Sequence, residues 1–212
     1  MIRIDGRRPD EVRPLKITKN FIDTASSSFQ ISIGCTTVMV AIFNRINPEK
    51  DKKKLELEFE SFGLLLTSEI KNLCKVSSDI ILRENLKLLP EYEIIINVFI
   101  LENDGNLFTV LMNAMSQGLK EIKLWNLKEI IFCGVNIDEK NCEIYIDPSK
   151  LEIENRDTEM YYVMIYDLKC KKVKFYEILK SINEEQIPPI INKKKLKRII
   201  FEFGFYLFKL FN

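Results

Sequence analysis

The stretch from Tyr92 to Glu121 limits the possible folds of this 212-residue chain more than any other. It opens as the apolar run Tyr92-Glu-Ile-Ile-Ile-Asn-Val-Phe-Ile-Leu-Glu102, whose length, β-branched content and preceding Pro90 predict a buried central strand. Asn103-Asp-Gly-Asn106 is a turn, after which Leu107, Leu111, Met112, Met115 and Leu119 recur at helical spacing as far as Glu121. Strand, tight turn and amphipathic helix in that order make an α/β unit, and its helix start is where free backbone N–H groups meet an anion. Phosphate chemistry there calls for hydroxyl or cationic side chains beside those amides. This turn runs instead into Leu107 and Phe108.

The remaining periodicities arrange themselves around this unit. Asp5-Gly-Arg-Arg-Pro-Asp-Glu-Val-Arg-Pro14 is a polar arm punctuated by Pro9 and Pro14, and it leads into a short strand. Ser28–Ile33 and Thr37–Phe43 read as a hairpin turning at Gly34-Cys35. Leu55, Leu57 and Phe59 alternate with glutamates in a further strand. Leu64 to Arg83 has the spacing of a helix, Ile130–Ile137 and Glu143–Ile146 form a second hairpin, and Tyr161–Asp167 and Val173–Ile178 form a third. Lys194 to Leu210 closes the order as a helix that is apolar nearly all the way round. Nothing resembling a linker or a repeat divides the chain, so residues 1–212 read as a single domain.

Composition narrows the chemistry. The chain has no histidine, which excludes Ser-His-Asp and Cys-His catalysis, His-ligated metals and any imidazole acid–base role. Its 32 Lys+Arg against 31 Asp+Glu leave almost no net field, so nucleic-acid contact would rest on local patches or on neighbouring subunits. The cysteines (Cys35, Cys74, Cys133, Cys142, Cys170) form no C-x-x-C pair and read as free buried thiols of a reducing compartment. Met1 to Arg8 lacks the apolar core of a signal peptide, and the greasy stretch Ile199–Phe211 is too short to span a bilayer, so an intracellular protein without membrane contact is expected. Arg45-Ile-Asn-Pro-Glu-Lys-Asp-Lys-Lys-Lys54 is a cationic loop: solvated surface on charge alone, or an RNA contact through Arg45, Lys50, Lys52, Lys53 and Lys54.

Taken in order, these elements resemble the RNase PH superfamily. The arm from Asp5 to Pro14 is similar to the one opening a class of exosome ring subunit, ribosomal RNA-processing protein 41. Gly34-Cys-Thr-Thr-Val38 falls where the family has G-N-T-x-V, Leu101-Glu-Asn-Asp-Gly105 where it has L-Q-A-D-G, Asn113-Ala-Met-Ser116 where it has N-A-A-S, and Glu159-Met-Tyr-Tyr-Val-Met164 where it has D-M-x-V-V-M. The resemblance implies an RNase PH-like α/β fold of two β-α motifs, of the ribosomal protein S5 domain 2-like type, with residues 1–14 as arm and 194–210 as last helix.

Active members of that superfamily are phosphorolytic exoribonucleases. They need an anion cradle, cations that hold RNA, and carboxylates that place a divalent metal. The family's cradle D-G-G-T-R reads here Asp104-Gly-Asn-Leu-Phe108, so hydroxyl and guanidinium have become Leu107 and Phe108, side chains expected to fill the vacated site by packing. The RNA-gripping arginine pair aligns with Leu65 and Leu66. The metal carboxylates align with Ile153 and Glu159, so one acid of two remains; Glu152, Glu154 and Asp157 read as surface acids, close enough to Glu159 to restore a metal site if the alignment shifts by a gap. With these parts absent together, no catalytic residue, metal or cofactor is expected.

The resemblance then implies an inert subunit of a hetero-oligomeric exosome ring, working with other RNase PH-like subunits, cap subunits with RNA-binding domains and a hydrolytic exonuclease, in the nucleus, nucleolus and cytoplasm. An active phosphorolytic subunit is the alternative. Single-stranded RNA would meet the Arg45–Lys54 loop, while Arg7, Arg8 and Arg13 hold the arm in place or touch a neighbour. Lys193–Arg198 reads as a solvated helix start, and Tyr161 and Tyr162 as sheet residues.

Overall fold

A computed structural model describes residues 3–46, 54–61, 92–122, 130–138, 143–154, 160–167 and 172–180, with side chains for 3–46, 93–122, 134 and 145–154. The expected helices over 64–83 and 194–210 lie outside these residues. The described chain forms β1 (Leu15–Lys19), β2 (Ser27–Ile33), β3 (Thr36–Ile46), β4 (Lys54–Ser61), β5 (Tyr92–Glu102), α1 (Leu107–Glu121), β6 (Ile130–Asp138), β7 (Glu143–Ile146), α2 (Lys150–Glu154), β8 (Met160–Asp167) and β9 (Lys172–Lys180). All the strands read from the sequence are present, and α2 is the described element that the sequence reading missed. Contacts group the chain into two compact units: Met1–Pro14 with Asp104–Thr109 and Glu129–Asn212, and Leu15–Asn103 with Val110–Lys128.

In the second of these units, β1-β2-β3-β5-β4 make a five-stranded sheet, antiparallel throughout except for the parallel pair β4·β5. One face carries Phe29, Ile31, Ile33, Val38, Val40, Ile42, Ile94, Ile96, Val98 and Ile100, all fully buried. At about 1.5–3 kcal/mol for each buried aliphatic or aromatic side chain, this face supplies most of the drive to form the sheet. β5 lies between β3 and β4, as expected of a central strand, but it is buried only at alternate positions, with Ile95, Asn97 and Phe99 half-buried. Its unbroken apolar run therefore overstates its burial. The register sets Leu55, Leu57 and Phe59 of β4 against Ile94, Ile96 and Val98.

Helix α1 also departs from the amphipathic pattern, for it is buried along its length from Leu107 to Leu119, with Thr109, Asn113, Ser116 and Gln117 among its buried polar groups. Gly118 lets the helix come close to the sheet, because a Cβ there would lie 2.9 Å from Ile42 Cδ1. Cys35 corrects the expectation of a buried thiol. It stands in the turn between β2 and β3, where Gly34 at φ 58° reverses the chain, and it is exposed because the turn projects beyond both strands.

The first unit is built on the antiparallel sheet β7-β6-β8-β9, which contains the second and third hairpins. Around the β6–β7 hairpin gather the arm, the 104–106 turn and α2. Backbone hydrogen bonds fix them: Ile146 N–H donates to Pro9 O, Asp147 N–H to Gly134 O and Lys150 N–H to Asp104 O, each at 3.0 Å.

Candidate functional site

Three arm arginines, Arg3, Arg7 and Arg13, are buried, and they converge on Asp147 and Glu152. Ionised side chains are costly to bury unless each donor and lone pair is matched, and here they are matched closely. Arg13 grips the Asp147 carboxylate with Nε at 3.0 Å and Nη2 at 2.8 Å, while its backbone N–H donates to the same carboxylate at 2.9 Å. Its remaining N–H groups reach Asp104 O at 2.6 Å, Asp104 Oδ2 at 3.2 Å and Gly105 O at 3.4 Å. Arg3 holds Glu152 with Nε and Nη2, and donates to Ile146 O, Asp147 O and Glu11 O. Arg7 pairs with Asp5 and Asp147 and donates to Glu11 O.

Every N–H of the Arg3 and Arg13 guanidiniums is thus engaged inside the protein, and neither has a donor left for a phosphate. The expectation that Arg7 and Arg13 hold the arm in place agrees with this geometry. Arg8 differs, since its side chain is 77% exposed and only 3.9 Å contacts link it to Asp10 and Glu11. Arg3, Asp147 and Asn106 were not singled out from the sequence. The signal available was weak: a polar arm with several arginines needs buried acids somewhere, but nothing local says which.

Asp147 is the hub. Its backbone adopts φ 50°, in the left-handed region that Asp and Asn tolerate better than other side chains, and this aims the carboxylate at the arm. Asn106, at φ 55° on the neighbouring turn, donates to Asp147 Oδ1 at 2.7 Å. Asn106 can sit there because residue 134 is glycine; a Cβ at Gly134 would collide with Asn106 Oδ1. Burial works to raise the Asp147 carboxyl, but hydrogen bonds and charge from Arg13, with Asn106, hold it below its ordinary 3.8. Burial opposes ionisation of Glu152 in the same way, and Arg3 with the Ser149 N–H holds that carboxyl below 4.5.

Glu152 is a correction to the sequence reading, which has it as a surface acid near a metal. It is buried, bound by Arg3, Ser149 N–H and Ser149 Oγ, because α2 turns it inward toward the arm. Glu154 is exposed and lies 3.9 Å from Lys150, and Ile153 is half-buried. Glu159, Asp157, Leu65 and Leu66 lie outside the described residues. Among the described residues no group of acids or thiols is placed to hold a metal ion.

At the start of α1, Leu107 is 6% and Phe108 1% exposed, so both are packing residues, and no acidic residue stands in the helix's first turn. Of the RNA candidates, Arg45 is exposed near the end of β3 and Lys54 is the first residue of β4, while Lys50, Lys52 and Lys53 lie outside the described residues.

Residues 11–124, more than half the chain, match the model of the 3' exoribonuclease family, domain 1, known as RNase PH. The chain belongs to the RNase PH family. Curated relatives include the exosome complex exonuclease RRP46 homolog of Arabidopsis thaliana, 26% identical over 173 residues, which are 76% of this chain and 70% of that protein. The exosome complex component Rrp41 of Archaeoglobus fulgidus is 25% identical over 182 residues, 77% of this chain and 69% of that protein. In structure the chain is similar to rice (Oryza sativa) Rrp46, with a TM-score of 0.80 at 18% identity over 99% of this chain and 97% of that one. It is also similar to the Archaeoglobus fulgidus exosome with RNA bound to the active site, with a TM-score of 0.74 at 18% identity over 100% of this chain and 93% of that one. The fold is therefore RNase PH-like, as the sequence resemblance implies, and relatives of both the RRP46 and Rrp41 classes match.

Within this RNase PH-like chain, the ion cluster makes arm attachment sensitive to acid. Asp147 and Glu152 have lowered carboxyls in the fold, so their contribution is complete above the unfolded values of 3.8 and 4.5 and is lost as pH falls through the still lower folded values. Urea unfolding should show a flat midpoint from pH 8 to about 5 and a falling one below it, less steeply in Glu152→Gln. An unchanged midpoint at pH 3 would refute the linkage.

Proposed function

We propose that this chain is a non-catalytic RNase PH-like subunit of an RNA exosome ring. It assembles there with other RNase PH-like subunits, beside cap subunits with RNA-binding domains and a hydrolytic exonuclease, and lines a path for single-stranded RNA. The observation that carries this reading is the burial of Leu107 and Phe108 at the start of α1, the place where the resemblance puts the family's phosphate cradle. Leu107 and Phe108 offer neither hydroxyl nor guanidinium to neutralise a phosphate and the charge of a phosphoryl-transfer transition state, and the hydroxyl-bearing Thr109 that follows them is fully buried. The buried pairing of Glu152 with Arg3 supports it too, since this carboxylate is already held by Arg3 and by the N–H and hydroxyl of Ser149. RNA contact is assigned to Arg45, Lys50, Lys52, Lys53 and Lys54, for which backbone phosphates need only clustered cations. The names of the curated relatives support exosome membership. The nucleus, nucleolus and cytoplasm are proposed as its compartments.

The test is phosphate-dependent release of nucleoside diphosphate from single-stranded RNA with Mg²⁺, using the chain together with its ring partners. The expected result is no release attributable to this subunit, with RNA binding that weakens when Lys52, Lys53 and Lys54 become Ala. Release abolished by Glu159→Ala would replace this reading with an active phosphorolytic subunit.

A further inference from the structure

Among the described residues β1 closes the five-stranded sheet on one side, with β2 as its single neighbour. Antiparallel pairing alternates hydrogen-bonded rows with rows whose N–H and C=O groups turn away from the neighbouring strand. The bond from Asn20 N–H to Ser28 O, at 2.8 Å, fixes which rows are which, because the register runs on from it to Thr18 opposite Gln30 and Lys16 opposite Ser32. Leu15 and Ile17 therefore direct their N–H and C=O groups to the open side of the sheet. Their side chains are half-buried, in rows that continue the buried Ile33 and Ile31, whereas Lys16 and Thr18 are exposed on the other face.

We infer that β1 pairs antiparallel with β1 of a second copy of this chain, about a two-fold axis at Ile17, so that two five-stranded sheets join into one. A two-fold contact is made by the same patch on both copies, and strand addition at an edge draws on main-chain hydrogen bonds. Outward-facing rows must meet outward-facing rows, and charge then selects the register. An axis at Lys16 would set two lysines face to face, which is unfavourable, and an axis at Thr18 would leave Leu15 outside the pairing. The axis at Ile17 uses the whole of β1 and sets Lys16 opposite the partner's Thr18. Lysines on an edge strand ordinarily keep another edge away. Here Lys19 is held by Glu121 at 3.3 Å, with its ammonium 5.4 Å from the centre of the Phe29 ring, and Lys16 faces a hydroxyl, so neither opposes the contact. Leu15 and Ile17 give up their remaining exposure at the seam, which adds an apolar contribution to the hydrogen bonds. This contact needs no other subunit and stands apart from the RNA path proposed above.

Sedimentation of the full-length chain over a concentration series gives the dimer Kd, and hydrogen exchange reads the amides of β1 at both ends of the series. The expected result is a dimer in which the Ile17 amide exchanges about tenfold more slowly than in the monomer. Thr18→Lys sets a lysine opposite the partner's Lys16 on both sides of the axis and should raise the Kd about tenfold, whereas Thr18→Glu should lower it. Lys16→Glu combined with Thr18→Lys restores opposite charges in the same rows and should bring the Kd back to the wild-type value. Ile17→Pro removes the central N–H, which faces away from β2, and should leave the chain folded and monomeric. A chain that stays monomeric throughout the series overturns the inference. So does a dimer whose Kd is the same in Thr18→Lys and Thr18→Glu as in the wild type. Should Ile17→Pro fail to fold, the Thr18 variants decide, because that side chain is exposed.

Discussion

Asp147→Ala is expected to cost about 3–5 kcal/mol, because removing the shared partner of a buried ionic cluster leaves Arg13 and Arg7 desolvated with only the more exposed Asp104 and Asp5 to balance them. The change strips the carboxylate from Arg13 and Arg7 and takes the acceptor from Asn106 Nδ2. It also places alanine at φ 50°, a backbone conformation that costs roughly 1–2 kcal/mol for an ordinary L residue. Urea unfolding measures the loss, and protection of the arm amides in hydrogen exchange locates it. Asp147→Asn should fall between wild type and alanine, since it keeps one acceptor oxygen and the tolerant backbone while losing the charge. If Asp147→Ala unfolds at the wild-type midpoint, the cluster does not hold the arm.

Gly105→Ala is expected to produce the second large effect. Gly105 has φ 88°, and a Cβ there would run into the backbone of Pro148, Ser149 and Lys150, including Pro148 O at 2.8 Å. Backbone cannot yield as the tip of a side chain can, so the substitution adds overpacking of about 1–3 kcal/mol to the cost of its dihedral. Gly6→Ala is the natural comparison. Gly6 has a similar φ of 83°, yet a Cβ there would meet nothing within 4 Å. It should lose only the dihedral cost of about 1–2 kcal/mol, and the difference between the two midpoints isolates the close approach of the turn to α2. Equal losses would mean that the 104–106 turn can move away from residues 148–150 freely.

The strands and α1 were legible because each carries its own periodicity: Ser28–Ile33 alternates, and Leu107 to Leu119 keeps helical spacing. Burial was read less well. The unbroken apolar run of β5 signals burial on both faces, but Ile95 and Phe99 are only half-buried; Gln117 signals solvent, but it is buried. Both outcomes depend on what packs above each face, which no local pattern records. The same limit explains the candidate site. Phe108 could be recognised as a poor phosphate ligand from its chemistry alone, and Arg7 and Arg13 as arm-fixing residues from their place among prolines. Their acceptor Asp147, more than 130 residues further along, lies between Ile146 and Pro148 with nothing to distinguish it from a turn aspartate. Glu152 was misread for the same reason, because an acid in the sequence Lys-Leu-Glu-Ile-Glu looks solvated until Arg3 is placed against it.

The span between Arg3 and Glu152 also sets an order of events during synthesis. A ribosome adding about 5–20 residues per second makes the arm, then both β2 and β3 and all of α1, before Asp147 and Glu152 exist. Throughout that interval the arginines have no carboxylate of this cluster to close upon, except the nearby Asp5 and, later, Asp104. The five-stranded sheet can therefore collapse early while the arm trails as a hydrated, cationic thread. Its capture is a late step with large loop-closure entropy, and the nascent arm is open to chaperones, proteases or nucleic acid until residue 152 has emerged.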